Sequence, residues 1–146
     1  MISNVLVDYI VGKVSGFTLT KGTNLFAENG RGEKNVVIGT TTDNPITSDL
    51  TFVRLAMVNV IVQGYGVAEG FDLTNRVCRV LEGMSGTFTF KIRTIANPAY
   101  PAQPNAPATI DEIETYIISS VSVRNWATMI KPDGVFSANL EIVFKS

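Results

Sequence analysis

The stretch Leu50–Gln63 reads LTFVRLAMVNVIVQ, and its residues alternate in the way typical of a β-strand. One parity is apolar except for Arg54 and comprises Leu50, Phe52, Ala56, Val58, Val60 and Val62. The other parity mixes polar and apolar residues: Thr51, Val53, Leu55, Met57, Asn59, Ile61 and Gln63. Successive side chains of a strand point to opposite faces of a sheet. The stretch therefore predicts a strand with one buried face and a second face that is partly covered.

Three segments on the C-terminal side are also β-rich. The segment Thr87–Arg93 sets Phe88, Phe90 and Ile92 on one face against Thr87, Thr89, Lys91 and Arg93 on the other, and Phe136–Lys145 alternates throughout. Between them lies the run Thr115–Ile130, in which Tyr116 and Trp126 share a parity and could be either an exposed aromatic patch or ordinary core. A turn is predicted at Pro132-Asp133-Gly134. One-sided alternation with hairpin turns favours an antiparallel sheet.

The remaining elements complete an alternation of helices and strands. Apolar residues recur at helical spacing over residues 2–14 and again over 72–82, where Asp72 would be the N-cap and Gly83 the end. Short strands are predicted at 25–27 and 35–39, followed by a polar loop at 40–48. We therefore predict a single α+β domain over 1–146: a mostly antiparallel β-sheet with two α-helices packed on one face.

The composition narrows the function classes. The 146 residues include 13 acidic and 12 basic ones, for a net charge of −1. This balance lacks the basic footprint of a nucleic-acid-binding domain. Charged residues make up 17% of the chain, below the roughly 25% that is usual for a soluble domain. A surface this poor in charge suggests that other protein covers part of it.

Several residue types that carry chemistry are scarce. The chain has no histidine, the commonest general base and metal ligand, and its one cysteine is Cys78. We therefore expect no catalytic residue, no metal site and no cofactor. No leader peptide and no run of about 18 apolar residues is present, so we also expect no membrane contact.

Two features could still belong to an enzyme. The pattern Gly64-x-Gly66-x-x-x-Gly70 lies between a predicted strand and a predicted helix, where glycines can cradle a phosphate. Glu69 and Asp72 would place negative charge there, which favours a simple tight turn. Cys78 has no histidine to activate it, so a buried apolar role is preferred over a nucleophile.

A proline-rich insertion at about 97–109 is the most unusual segment. Four of the six prolines fall here at intervals of three, with one tyrosine among them: Pro98, Tyr100, Pro101, Pro104 and Pro107. Polyproline II has three residues per turn, so we predict an extended arm. The arm would dock on a neighbouring subunit; the alternatives are a passive spacer and a P-x-x-P ligand for an adaptor domain.

An acidic cluster follows this arm directly. Asp111, Glu112 and Glu114 would meet basic groups of a neighbouring subunit, for which the candidates are Arg76, Arg79, Lys91 and Arg93. A cation site is the alternative, but the cluster lacks the glycine-bearing loop of a calcium motif.

The whole pattern resembles a known family. The resemblance rests on a short N-terminal helix, a long strand ending in Val58–Gly64, a helix at Leu73–Leu81, and strands containing Phe88–Phe90 and Ile117–Arg124. In size and element order the chain is similar to the tail terminator proteins of long-tailed bacteriophages, also described as minor capsid or minor tail proteins.

The resemblance implies a structural role without catalysis. Such a protein forms a homo-oligomeric ring, usually a hexamer, on the last ring of tail-tube protein. It ends tube polymerisation and presents a surface to the head-completion or neck protein, while genome DNA passes through the lumen without specific binding. The expected location is the virion tail or neck, and the host cytoplasm during assembly. Alternatives are another head–tail connector, the tail-tube protein, a small nucleotide-binding enzyme and a proline-rich adaptor.

Overall fold

Strands predominate in the chain and form one sheet. A computed structural model describes residues 1–13, 24–30, 32–47 and 52–146. The elements are α1 (Ile2–Lys13), β1 (Asn24–Ala27), β2 (Asn35–Pro45), β3 (Val53–Gln63), α2 (Val67–Glu82), β4 (Gly86–Ala96), β5 (Thr109–Lys131) and β6 (Val135–Lys145). The predicted class and order are confirmed. Val14, Ser48, Leu50 and Thr51, included in the predicted elements, lie outside the described residues.

The sheet is mixed but mostly antiparallel. Its six described strands follow the order β1-β2-β3-β6-β5-β4. Only the edge pair β1–β2 is parallel; the other neighbours are antiparallel. The strand predicted from the alternation at 50–63 is central, with Val58 opposite Leu140 and Val60 opposite Ala138 of β6.

The core lies between one face of the sheet and both helices. Leu6 and Ile10 of α1 and Val77 and Leu81 of α2 are buried against it. The sheet contributes the predicted apolar parity, including Ala56, Val58, Val60, Val62, Phe136, Leu140 and Ile142. Each fully buried aliphatic or phenylalanine side chain contributes about 1.5–3 kcal/mol. Residues on the opposite parity of β3 are only half-buried, as predicted.

Two boundaries differ from prediction. The polar stretch 40–45 belongs to β2 rather than a loop, because it pairs with β3 around a bulge between Thr40 and Thr42. Backbone pairing with a neighbouring strand overrides its polar composition. Helix α2 begins at Val67 rather than after Asp72. Gly70 lies inside this helix, at a position where any larger residue would collide with the ring of Phe136.

Candidate assembly interface

A two-stranded ribbon extends from the sheet at its β4 edge. Strands β4 and β5 pair from Gly86–Ile118 to Ala96–Thr109. Strand β6 pairs with β5 only from Ile117 onward. Residues 91–96 and 109–113, here called the ribbon, therefore have no third strand among the described residues. At about 3.3 Å per residue, the six residues of its β4 half span roughly 20 Å.

The ribbon carries isoleucines that water can reach. Ile92, Ile110 and Ile113 are 46%, 39% and 54% exposed. The segment 86–131 holds most of the large exposed apolar side chains in the described part of the chain: Ile92, Tyr100, Ile110, Ile113, Ile117, Trp126, Met129 and Ile130. Ile110 and Ile113 are three residues apart on β5, so water reaches apolar side chains on both faces of the ribbon. The alternation over 87–93 predicts Ile92 on the apolar face of Phe88 and Phe90, but Ile92 lies at the bulge between Lys91 and Arg93 and is exposed. The exposure of Ile110 and Ile113 was not predicted; their occurrence on both parities among charged neighbours was the available signal.

The proline-rich segment forms the tip of the ribbon, and the prediction of an extended arm was wrong. Backbone N–H groups of Tyr100, Gln103 and Ala106 donate to carbonyls three or four residues earlier, so the segment folds into successive turns. Its ends are joined because the Asn97 N–H donates to the Ala108 carbonyl and the Asn97 side chain donates to the Pro107 carbonyl. Polyproline II has no internal hydrogen bonds. Here, the local hydrogen bonds fold the segment into compact turns instead of a polyproline II helix.

The residues of the tip that were predicted to contact a neighbouring subunit are exposed. Pro98, Pro101, Pro104 and Pro107 are exposed, and Tyr100 is 47% exposed. A compact tip with fixed turns loses little conformational entropy on docking. The structure therefore keeps these residues available to a partner, although it shortens the reach expected of them.

The acidic cluster has partners within the chain, and its predicted contacts with a neighbouring subunit stay a prediction. Arg93 Nε donates to Glu112 Oε2 at 2.6 Å, directly across the ribbon. The Thr94 hydroxyl donates to Asp111 Oδ1 at 2.8 Å. Residues of opposite charge that lie directly opposite on paired strands stabilise the pair by roughly 0.2–1 kcal/mol. These two acidic side chains therefore stabilise the ribbon itself.

Glu114 lies where the ribbon joins the domain. The hydroxyl of Tyr116 donates to Glu114 Oε2 at 2.6 Å, and the Met1 ammonium lies 3.5 Å from the same oxygen. The hydrogen bond from Tyr116 lowers the pKa of Glu114 below its ordinary value. Burial and the adjacent Glu114 carboxylate raise the pKa of Tyr116. The pair is therefore an anionic acceptor and a neutral donor near neutral pH, anchoring the base of the ribbon.

The other basic residues that were predicted as partners of the acidic cluster lie on α2 and β4, whereas the cluster itself lies on β5. Arg76 and Arg79 are exposed on α2, where Arg76 forms an ion pair with Asp72 at 3.6 Å. Lys91 is exposed at the start of the ribbon, opposite Ile113. Among the described contacts, none joins Arg79 or Lys91 to Asp111, Glu112 or Glu114. They remain candidates for contact with another chain.

The glycine turn before α2 does not have the geometry of a dinucleotide site. Such a site needs a helix linking parallel strands of one sheet. Helix α2 instead links β3 to β4, which lie three positions apart and run antiparallel. Gly64 has a φ of +92°, and a side chain there would collide with the Glu33 carbonyl. A tight turn at this position therefore explains why residue 64 is a glycine.

Among the described residues, we also looked for a nucleophile, a set of metal ligands and a membrane-spanning helix. Cys78 is fully buried, and burial, reinforced by Glu82, raises the pKa of its thiol to about 11. No group of three or more possible metal ligands occurs in the described ranges. Among the helices that are described, none is both long and apolar enough to cross a membrane.

Comparison with known proteins found no matching protein-family model, curated protein or solved structure. A functional proposal therefore depends on the ribbon, its tip and the two faces of the sheet.

Proposed function

We propose that this chain is a structural virion protein that caps a bacteriophage tail tube as a ring of six subunits, ends tube polymerisation and joins the tail to the head. The proposal combines the resemblance of its element order to tail terminators with the exposed ribbon. Its partners are further copies of itself, the tail-tube protein and a head-completion or neck protein. It acts without catalysis or cofactor, in the virion after assembly in the host cytoplasm.

The ribbon carries the proposal. An isolated two-stranded hairpin is marginally stable in water. This one also exposes Ile92, Ile110 and Ile113, whose burial would be favourable. A surface of this kind is stabilised when another protein covers it. A neighbouring subunit is the partner that a ring supplies to every copy.

The two layers of the domain support a two-faced ring. Both described helices pack on one face of the sheet, while the other face presents half-buried Leu55, Met57 and Val143 beside polar residues. Head-to-tail contacts between unlike surfaces close into a ring when the rotation from one subunit to the next closes. A capping ring must bind the tube on one side and present a different surface on the other. The helices on one side of the domain and the bare face of the sheet on the other provide two different surfaces.

The charge balance suits passage of DNA. A protein that neutralises many phosphates holds nucleic acid tightly. The chain has a net charge of −1, so a ring built from it has no large excess of basic groups to retain the genome. DNA therefore passes through the lumen without specific binding.

A growth assay tests the proposal. Tail-tube protein from the same genome is polymerised with and without the chain, and tube lengths are measured by electron microscopy. We expect substoichiometric amounts of the chain to stop elongation. A matched control replaces residues 98–107 of the tip with a Gly-Ser linker and should stop growth less well. Unchanged lengths would contradict the proposal, and spontaneous polymerisation of the chain alone would identify it as a tube protein instead.

A further inference from the structure

The carboxylate of Glu28 joins three elements of the described chain. Glu28 follows β1 directly, and its backbone N–H donates to the Ile38 carbonyl of β2. Its Oε1 atom accepts a hydrogen bond of 2.6 Å from the hydroxyl of Ser3, at the start of α1. The Thr40 N–H donates to the same carboxylate, at 3.3 Å from Oε1 and 3.2 Å from Oε2. This arrangement of Glu28, Ser3 and Thr40, here called the latch, connects the edge strand, its neighbour and the first helix.

The backbone of Glu28 is held in a strained conformation. Its φ of +68° lies in the left-handed region, which residues with a side chain rarely adopt. Such a conformation costs free energy and persists only where the surrounding structure enforces it. The hydrogen bonds from Ser3 and Thr40 to the carboxylate are the described side-chain contacts that hold residue 28 in this conformation. Loss of these bonds would therefore also allow the backbone to relax.

Strand β1 has few other contacts that keep it on the sheet. It contains four residues, lies at the edge, and pairs only with β2 among the described strands. Leu25, Phe26 and Ala27 are each only half-buried. Segments with few buried apolar contacts open locally at a lower free energy than core strands do. A weakened latch should therefore affect β1 before it affects the central strands.

Protonation weakens the acceptor on which the latch depends. Hydrogen bonds to an ionised carboxylate are roughly twice as strong as those between neutral groups. Burial raises the pKa of Glu28, but the hydrogen bonds from Ser3 and Thr40 outweigh burial and lower the pKa below its ordinary value of 4.5. We propose that the Glu28 carboxylate is an acid-sensitive latch, whose protonation releases β1 from the edge of the sheet while the central strands stay folded.

The elements around the latch carry few charged groups among the described side chains. The Met1 ammonium and Asp8 belong to the α1 end and face of the domain, Asp43 to β2 and Arg54 to β3. The ammonium attracts the Glu28 carboxylate and lowers its pKa further. Asp43 and Arg54 pair with each other at 2.6 Å, and Asp8 lines a groove between α1 and β4. Glu28 is therefore the group whose titration opens the latch.

Hydrogen exchange of the full chain, followed for each amide by NMR from neutral pH down to about pH 3, tests the latch. The amides of Glu28 and Thr40 donate within it, and the amide of Val60 reports on the central strand β3. Because the pKa of Glu28 is lowered on folding, its carboxylate stabilises the latch above 4.5 and loses this effect as pH falls through the folded value. We expect protection at Glu28 and Thr40 to fall about tenfold there, while Val60 keeps its protection.

Three variants separate the latch from general acid unfolding. Glu28→Gln cannot titrate, so the Thr40 amide should be weakly protected at every pH. Ser3→Ala removes one donor to the carboxylate without changing residue 28, and should move the midpoint of the loss to higher pH. Glu33→Gln is the matched control, since Glu33 is an exposed carboxyl of the same β1–β2 connection, and should leave the midpoint unchanged.

Protection of Thr40 that does not depend on pH in the wild type would overturn the proposal. Loss of protection at Val60 and Thr40 at the same pH, or an unchanged midpoint in Ser3→Ala, would also overturn it. These outcomes leave the capping proposal intact, because the latch does not depend on the proposed capping function.

Discussion

Substitution of Ile113 separates assembly from folding. Ile113 is 54% exposed on the ribbon, while Ile118 on the same strand is 2% exposed and lies in the core. Full burial of such a side chain contributes about 1.5–3 kcal/mol. Covering the exposed half of Ile113 in an assembly should therefore contribute about 1 kcal/mol per contact, or roughly fivefold in its association constant.

Ile113→Ala should therefore weaken assembly on tubes about fivefold and lower the free energy of unfolding by no more than about 1 kcal/mol. Ile118→Ala should lower the free energy of unfolding by about 2–5 kcal/mol. Urea denaturation of the monomer and titration of tube capping measure the two quantities. Equal destabilisation by both substitutions would show that Ile113 is covered within its own chain. Unchanged capping by Ile113→Ala would refute the role of the ribbon.

Three further expectations concern the tip, the thiol and the base of the ribbon. Replacing residues 98–107 with a Gly-Ser linker should weaken capping but leave the melting temperature nearly unchanged, because the tip bonds mainly to itself; a large fall would refute this. Thiol reagents at neutral pH should label Cys78 only after unfolding, and Cys78→Ala should still assemble; rapid native labelling would contradict its burial. Since the pKa of Glu114 is lowered on folding, its carboxylate stabilises the fold above its ordinary value of 4.5 and loses this effect as pH falls through the folded value. Glu114→Gln should therefore flatten the acid limb of stability measured by denaturation, and an unchanged limb would contradict the Tyr116 contact.

The central strands could be predicted because only one face of the sheet is buried, and burial of one face produces the alternation of apolar residues in the sequence. Val58, Val60 and Val62 face the helices, and the intervening residues do not, so the period of two is visible in the sequence. The same argument identified β6, whose residues alternate between buried and half-buried over its length. Helix α1 was predictable because Ile2, Leu6 and Ile10 recur on one face.

Features set by a neighbouring strand could not be predicted. The stretch 40–45 forms a strand because β3 lies beside it, and its own threonines and Pro45 carry no apolar alternation. Bulges in β5, such as the one between Asn125 and Thr128, break the parity that linked Tyr116 to Trp126. Tyr116 is consequently buried and Trp126 exposed.

The proline-rich segment could be singled out from the sequence, but its conformation could not be predicted. Proline spacing identified 97–109 as unusual, but the side-chain and backbone bonds of Asn97 turn it into a compact tip. Because β4 pairs with the residues after the tip, the acidic cluster became part of a strand. This pairing brings Arg93 to Glu112 within one chain.

Electron microscopy of tail tubes grown in the presence of the chain tests the central claim most directly. We expect one additional ring at one end of each finished tube, composed of this chain, with that end unable to accept further tube protein. Tubes without added density at either end, or chain distributed along the tube wall, would contradict it.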